Sequence, residues 1–347
     1  MFAGRVKSTL HQNVSFPYNF YFTGIAIAFL LTFASLPIWR NWCIRIGLID
    51  DPGHRKIHDQ PIPLAGGLAV MTGVLVPVLL GSAFLSLCRV WPELARIPGV
   101  SAAIPRLQHG LSVRAVELAV ILCGALGMLI LGVLDDKHEL SPRAKFIGQF
   151  LIAAAVAACG VRITLFVHNI VFSYAITILW ILTVINAFNF MDNMNGLCAG
   201  LGAVGAWYFA IVAAADGQYL VALIAFLTFG TLLGFLPYNF PRARAFLGDS
   251  GSHLVGFLLA VLAILPHFYN VRHQRRWAVL IPLFALAVPL ADLVWVVLLR
   301  WRVGQPFYVG DNNHLSHRLV RLGLTRTCAV LLIWLLAAIL GGFIIFC

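Results

Sequence analysis

The chain has 347 residues, of which 61% are hydrophobic and only 11% are charged, and its mean hydropathy is +0.92. So little charge excludes a soluble globular protein and indicates a polytopic membrane protein. The formal net charge of +11 suits anionic lipid surfaces and anionic substrates, and no patch typical of nucleic-acid binding is present. The seven cysteines contain no C-x-x-C pair, so neither a structural zinc site nor a disulfide framework is indicated.

Apolar runs of about 20 residues predict ten membrane-spanning helices within a single domain over residues 1–347. Helices are expected because backbone groups in hydrocarbon must form hydrogen bonds within their own segment. The predicted fold class is an all-α polytopic membrane protein whose functional site is formed by loops on one face. The predicted spans are residues 19–39, 64–87, 115–134, 146–159, 170–190, 197–215, 219–237, 252–266, 277–299 and 327–346.

The loops between these spans divide unequally in charge. Lys and Arg divide 14 to 10 in favour of the face that carries the loops after the odd-numbered spans. This excess predicts that the face is cytoplasmic and that both termini are periplasmic. Nine of the thirteen acids lie on the same face. Because acids do not follow the orientation rule, their clustering indicates a divalent-metal and phosphate site.

A series of polar side chains follows the apolar residues 170–185. Asn186, Asn189, Asp192 and Asn195 recur at every third position, and such groups in a membrane need partners or a function. Each step of three residues drifts by about 60° around an α-helix, so the four converge only if the helix tightens or breaks, for example at Gly196. The series predicts either a polar pocket at the membrane surface or a polar helix cap.

The acids at the end of the third span favour a site more clearly. Asp135 and Asp136 are adjacent at a helix C-terminus, where acids oppose the helix dipole. Neighbouring carboxylates repel unless a cation is present, so the pair suits a Mg²⁺ site or a general base better than a cap. Arg143 and Lys145 follow near the start of the next helix, where they are available to an anion.

The remaining loops of this face permit two interpretations each. The basic cluster at residues 54–58, which contains Lys56, suits a phosphate clamp or a loop that binds lipid headgroups. Asp249, within a Gly-Asp-Ser-Gly turn, suits a helix cap, supplied by Asp249 or Ser250, or a metal bound to pyrophosphate. His314 and His317 are neighbours on one helix face and, with Arg318, suit pyrophosphate binding. A transition-metal pair is the other interpretation, although the chain offers few thiolate or imidazole partners for it elsewhere.

Five motifs taken together resemble the polyprenyl-phosphate N-acetylhexosamine-1-phosphate transferases of the glycosyltransferase 4 type. The resemblance covers residues 40–325 and favours the branch that initiates lipid-linked envelope glycans, since the triple-His signature of the related peptidoglycan enzymes is absent. The motifs that carry it are Asp51–Gly67, Leu134-Asp-Asp136, Asn186-Ala-Phe-Asn-Phe-Met-Asp-Asn-Met-Asn-Gly196, Phe246-Leu-Gly-Asp-Ser-Gly-Ser252 and Asp311-Asn-Asn-His-Leu-Ser-His-Arg-Leu319.

The resemblance implies an enzyme of the bacterial cytoplasmic membrane that transfers N-acetylhexosamine 1-phosphate, by default GlcNAc-1-phosphate, from a UDP-sugar to undecaprenyl phosphate. It implies Mg²⁺ or Mn²⁺ as cofactor, an active site that faces the cytoplasm, contact with membrane lipids, and a possible homodimer. The residues that match the family's functional positions are Asp135, Asp136 and Asp192 for catalysis; Asp249 and Asp192 for the metal; and Lys56, Asn186, Asn189, His314, His317 and Arg318 for the substrates.

Two departures from the family pattern keep other interpretations open. Asn195 stands where a second acid is usual, and Ser316 where a third His is common. An inactive homologue is therefore one alternative. A secondary transporter is another alternative, although Asp292, inside the ninth span, is the only acid at the midplane position that a transporter needs. Asp292 itself is expected to face the bundle as a polar anchor or cavity wall. The transfer itself is expected to follow either one in-line step or two steps through an aspartyl intermediate.

Overall fold

The computed structural model describes residues 17–51, 60–96, 101, 103–164, 167, 169–266, 276–306 and 313–343, without the side chains of residues 276 and 277. Apolar runs form twelve α-helices there, as all-α composition predicts. The helices are α1 Tyr18–Ile46, α2 Gly66–Val90, α3 Ile104–His138, α4 Pro142–Ala158, α5 Ile170–Met191, α6 Leu197–Ala215, α7 Tyr219–Asn239, α8 Gly248–Leu262, α9 Ile281–Ala285, α10 Ala287–Arg302, α11 Leu315–Arg321 and α12 Arg326–Gly342.

The all-α polytopic prediction is confirmed, whereas the number of ten crossings is not. A helix overlaps every predicted span, and within the described ranges six are long and apolar enough to cross a membrane: α1, α2, α3, α5, α6 and α7. A bent pair makes a possible seventh. Helix α8 has 15 residues, about 22 Å at 1.5 Å per residue, which is shorter than a hydrocarbon core of about 30 Å.

The ninth predicted span is not one straight helix, which corrects the sequence prediction. Residues Ala278–Ala285 and Ala287–Arg302 meet at an angle of 70°. Leu286, with φ −113° and ψ 20°, lies at the break. Pro289 explains the position, because its nitrogen has no hydrogen to donate to the carbonyl four residues earlier and its ring crowds that carbonyl.

Two short strands between α1 and α2 form a hairpin. Strands β1 (Ile49–Asp50) and β2 (Ile62–Pro63) are antiparallel and pair Ile49 with Pro63. The N–H of Phe246 then donates to the Pro63 carbonyl at 3.0 Å, and that of Gly66 donates to the Phe246 carbonyl at 2.9 Å. The hairpin therefore ties the start of α2 to the segment that precedes α8.

Helix α8 is the central helix of the bundle. Every residue from Ser250 to Leu262 is buried, as expected for a helix that is apolar on all sides. Its first turn packs backbone against backbone: a Cβ atom on Gly132 of α3 would lie 2.3 Å from Ser250 Cα, and one on Gly67 of α2 would lie 2.6 Å from the Gly251 nitrogen. Glycine at these two positions thus lets three helices meet around Asp249.

Candidate functional site

A polar cavity of about 960 Å³ opens where α3, α5 and α7 end and α8 begins. Its walls combine carboxylates, amides and cations, as the clustered acids predict. Three acids of the predicted set, Asp136, Asp192 and Asp249, line it, together with Asn189 and His317. Its polar and charged lining is Asp50, Asp136, Lys145, Asn189, Asp192, Asn193, Asn195, Asn239, Arg242, Asp249, His317, Arg326 and Thr327.

The Asp249 carboxylate is held in place by side chains from two other helices, α4 and α5. Asn189 of α5 donates a short hydrogen bond from Nδ2 to Asp249 Oδ1, and also a bond to Ser252 Oγ at 3.0 Å. Lys145 Nζ of α4 lies 3.1 Å from Asp249 Oδ2. The predicted amide and acid thus meet directly, and the carboxylate lies at the cavity wall with each oxygen oriented.

Asp136 holds the first turn of α8, which corrects the prediction that Asp249 or Ser250 supplies the cap. Asp136 Oδ1 accepts from the Asp249 N–H at 2.8 Å, and Oδ2 accepts from the Ser250 N–H at 3.0 Å. Helix N-terminal N–H groups need such acceptors, and a carboxylate also suits the positive end of the helix dipole. Asp136 reaches them because Gly132, one turn earlier on α3, brings the two backbones together.

Asp135 is engaged behind Lys145 rather than on the cavity wall. Its Oδ2 lies 2.7 Å from Lys145 Nζ, and its Oδ1 accepts from the Leu140 N–H at 3.0 Å. Sequence reasoning placed Lys145 near an anion but not among the site residues. The useful signal was the start of α4 at Pro142, where Ser141 Oγ accepts from the Ala144 N–H at 3.3 Å and places Lys145 in the first turn.

Asp192 lies just after the end of α5 and is half-buried in the cavity wall. Burial, followed by the nearby charges of Asp249 and Asp136, raises the pKa of the Asp192 carboxyl to about 8. Lys145 Nζ lies within ion-pair distance of Asp135 and of Asp249. The donor set at the cavity wall fits a hard divalent cation, since carboxylate oxygens are the ligands that Mg²⁺ prefers.

The other members of the polar series point elsewhere, because α5 remains helical to Met191. Asn186 Nδ2 donates to Gln149 Oε1 at 2.9 Å and to the Leu182 carbonyl at 2.8 Å, and the Gln149 amide contacts the His253 ring at 3.3 Å. Asn186 therefore lies beneath the cavity rather than in its wall. Gln149 and His253 are fully buried partners that the sequence patterns did not single out.

Gly196 ends the series as predicted, with φ +78°. Its N–H donates to Asn239 Oδ1 at 2.6 Å, and Asn239 Nδ2 donates to the Ala245 carbonyl at 2.9 Å. Asn195 Nδ2 donates to the Pro241 carbonyl at 3.2 Å at the cavity rim. Asn239 is a cavity residue that sequence reasoning missed, since no spacing links it to Gly196.

Of the predicted His and Arg group on α11, the structure brings only His317 to the cavity. His314 is 5% exposed, and its Nδ1 lies 2.7 Å from Asp292 Oδ2. The Leu315 N–H donates to Asp292 Oδ1 at 2.7 Å, so Asp292 is the polar anchor that its place in the span predicts. The Arg318 guanidinium instead lies 4.8 Å from the centre of the Trp295 ring.

Ser316 and Lys56 complete the predicted set. Ser316 Oγ donates to Asn193 Oδ1 at 2.7 Å, which joins α11 to the residue next to Asp192. Lys56 and its neighbours in residues 52–59 lie outside the described residues, as does Asp311. Arg242 and Arg326, which no motif singled out, supply cations to the described cavity wall.

Known proteins resemble this chain over most of its length. Residues 118–267, which include Asp135, Asp136, Asp192 and Asp249, match the family described as "Glycosyl transferase family 4". The chain is 30% identical over 327 residues to a probable undecaprenyl-phosphate N-acetylglucosaminyl 1-phosphate transferase of Bacillus subtilis, covering 91% of this chain and 82% of the relative.

Relatives from other bacteria extend the match. A decaprenyl-phosphate N-acetylglucosaminephosphotransferase of Mycobacterium tuberculosis is 32% identical over 344 residues, covering 92% of this chain and 80% of the relative. An undecaprenyl-phosphate alpha-N-acetylglucosaminyl 1-phosphate transferase of Yersinia pestis is 29% identical over 332 residues, covering 92% and 82%. The chain therefore belongs to glycosyl transferase family 4, among the polyprenyl-phosphate N-acetylhexosamine-1-phosphate transferases.

Proposed function

We propose that this chain transfers N-acetylglucosamine 1-phosphate from UDP-N-acetylglucosamine to undecaprenyl phosphate and releases UMP. The observation that carries the proposal is the cavity lined by Asp249, Asp192, Asn189 and Lys145, in which Asp249 contacts both Asn189 and Lys145. The relatives named above act on undecaprenyl or decaprenyl phosphate according to their names. The product begins a lipid-linked glycan of the cell envelope.

In the proposed reaction an oxygen of the lipid phosphate attacks the β-phosphorus of the UDP-sugar. The bond from that phosphorus to the bridging oxygen breaks, and UMP leaves with the electron pair. Such transfers need positioning and charge neutralisation more than covalent chemistry. A phosphate monoester has a second pKa near 6, so the acceptor is already mostly ionised at neutral pH and a general base is not essential.

The side chains of the cavity have distinct roles in this proposal. Lys145 directs an ammonium group toward the phosphates, and Asp135 orients it from behind through the 2.7 Å ion pair. His317, Arg242 and Arg326 lie at the cavity wall, where they can bind the nucleotide phosphates. Asp136 fixes the turn that carries Asp249. Asp135, which sequence reasoning favours as a base, is thus assigned to positioning.

Magnesium or manganese is the proposed cofactor. Asp249 and Asp192 would hold the ion, and when bound it neutralises charge on the pyrophosphate of the donor. Asn189 would keep the Asp249 carboxylate directed into the cavity by its hydrogen bond. The carboxylates gathered at the cavity wall, whose charges together with burial raise the pKa of Asp192, support this assignment.

We further propose that the enzyme lies in the cytoplasmic membrane with this cavity facing the cytoplasm, where UDP-sugars are made; a homodimer stays a prediction. The transporter alternative loses its one supporting residue, because Asp292 is engaged by His314 and the Leu315 N–H. The inactive-homologue alternative rests on the departures at Asn195 and Ser316. Both side chains form hydrogen bonds around the cavity, Asn195 to the Pro241 carbonyl and Ser316 to Asn193, so both departures fit the structure of the site.

The test uses the purified full-length chain in detergent with undecaprenyl phosphate, Mg²⁺ and either UDP-GlcNAc or UDP-GalNAc. UMP release that requires the lipid is expected with UDP-GlcNAc. Folded protein that releases no UMP with either sugar would refute the enzyme. Exchange of labelled UMP into UDP-GlcNAc without lipid would replace the one-step route with a two-step route, and the absence of exchange would support the one-step route.

A further inference from the structure

A second cavity lies at the opposite ends of two helices that also reach the site described above. It has a volume of about 480 Å³ and is lined by the start of α3 and the start of α7. Arg114 and Asp136 are 22 positions apart on α3, or about 33 Å at 1.5 Å per residue. That distance matches a hydrocarbon core of about 30 Å. Arg114, where α3 is kinked, and the cavity that it lines are therefore expected at the headgroup level of the other membrane face.

The two arginines that line this cavity, Arg106 and Arg114, both belong to α3. Arg106, His109 and Arg114 line it, and none of its described lining residues is acidic. Glu117, which lies 3.4 Å from Arg114 Nη1, and Asp216, which follows the last residue of α6, are the nearby acids in sequence, and neither lines the cavity. The first turn of α7, a helix of 21 residues, adds its backbone N–H groups to the lining.

Arg106 is exposed and contacts Tyr219 in this lining. Its guanidinium lies 5.4 Å from the centre of the Tyr219 ring, and its Nη1 donates to the Tyr219 hydroxyl at 3.3 Å. A guanidinium that is stacked in this way loses little further freedom when it binds a phosphate with its planar donors. Pro105, Leu220 and Val221 add an apolar part to the lining. A lining that combines cationic and apolar side chains matches a lipid at the junction of headgroup and acyl chain.

We propose that this cavity binds the phosphate of an anionic phospholipid, such as phosphatidylglycerol, in the leaflet opposite the acidic cavity. A lipid fits better than a soluble anion because the cavity lies at headgroup depth and its lining combines cationic with apolar side chains. Arg106 and His109 contact the phosphate, and Leu220 and Val221 contact the first part of an acyl chain. The proposal depends on the fold and is independent of the reaction proposed above.

The matched variants are Arg106→Gln and Arg96→Gln. Each removes one exposed arginine charge from the same membrane face, but Arg96 pairs with Glu93 at 2.6 Å and does not line the cavity. Native mass spectrometry of the full chain measures the binding of phosphatidylglycerol and phosphatidylcholine, and melting temperature in detergent verifies that each variant is folded. A third variant, Arg106→Lys, keeps the charge without the planar fork.

The expected result is that Arg106→Gln weakens phosphatidylglycerol binding at least about fivefold, that Arg96→Gln changes it less than about twofold, and that Arg106→Lys lies between them. Phosphatidylcholine should bind more weakly to the unaltered chain. An equal loss in both Gln variants would show general attraction to a basic surface and overturn the proposal. If millimolar inorganic phosphate displaced bound phosphatidylglycerol as effectively as added lipid does, the cavity would bind a soluble anion. That result would also overturn the proposal.

Discussion

Asp249 and Asp292 both belong to helices, and each has partners on both carboxylate oxygens, yet their surroundings differ. Asp249 contacts Lys145 and Asn189, and its side chain stays 32% exposed at the wall of the acidic cavity. Asp292 contacts His314 and the Leu315 N–H, and its side chain is 1% exposed. A carboxylate open to a cavity remains available to a ligand, whereas an enclosed one can only hold the fold together. The difference separates a chemical role from an anchoring role.

The largest expected effect tests the open carboxylate. We expect Asp249→Asn to reduce UMP release by at least about 10³-fold, because the neutral amide cannot balance a divalent cation. The melting temperature should change little, since the amide oxygen still accepts from Asn189. Arg318→Gln is the matched control, because Arg318 lies over Trp295 outside the cavity, and it should retain activity within about twofold. More than a tenth of the activity in Asp249→Asn would remove this residue from the proposed site.

The enclosed carboxylate should show the opposite behaviour. We expect Asp292→Ala to lower the free energy of unfolding by about 3 kcal/mol, because His314 and the Leu315 N–H lose a buried partner. Asp292→Asn keeps one acceptor oxygen and should lose roughly half as much. Denaturant unfolding in detergent measures both values. Unaltered stability of Asp292→Ala, together with lost activity, would show that Asp292 acts on the substrates instead.

Sequence patterns predicted the helices and the acids of the site well, because hydrophobic length and clustered charge are local properties. They did not predict partnerships between distant segments. Asp136 caps a turn that lies 113 positions later, and the Asn186–Gln149–His253 chain joins three helices whose relative rotation no spacing specifies. The break at Leu286 was visible as Pro289, but a proline in an apolar run also occurs inside intact spanning helices, as Pro37 in α1 does.

The third prediction concerns the charge of Asp192, an acid at the wall of the acidic cavity. Without metal, Asp192 has a pKa of about 8, so at pH 7 it is mostly protonated. Binding of Mg²⁺ requires the carboxylate, so it should release about one proton at pH 7 and almost none at pH 9.5. Calorimetric titration in buffers of different ionisation enthalpy measures that number. Asp192→Asn should release none, and an equal release from this variant would assign the proton to another group.

The fourth prediction compares two amide side chains of α5, Asn189 at the cavity wall and Asn186 beneath the cavity. Asn189→Ala removes the partner of Asp249 and should reduce UMP release by about 10²-fold. Asn186→Ala leaves Gln149 and His253 to pair with each other beneath the cavity. It should reduce UMP release by about tenfold or less, with no change in the KM for the UDP-sugar. A raised KM in Asn186→Ala would place Asn186 in direct contact with the donor.

The smallest expected effect is that of Asn195→Asp. Asn195 contacts the Pro241 carbonyl at the rim rather than Asp249 or Asp192. An added carboxylate there should change the Mg²⁺ concentration for half-maximal activity by less than about twofold, because solvent screens charges at the rim. Tighter Mg²⁺ binding by about fivefold or more would show that this position belongs to the metal site.

The close approach at Gly132 affects how variants of this chain will be interpreted. Any side chain there would meet the backbone of Ser250 and push the turn of Asp249 away from Lys145 and Asn189. A map of tolerated substitutions scored by activity will therefore show Gly132 to be as intolerant as the acids it precedes, although it has no chemical group to contribute. Measuring protein abundance alongside activity will not separate them fully, because a displaced turn can leave a folded but inactive chain.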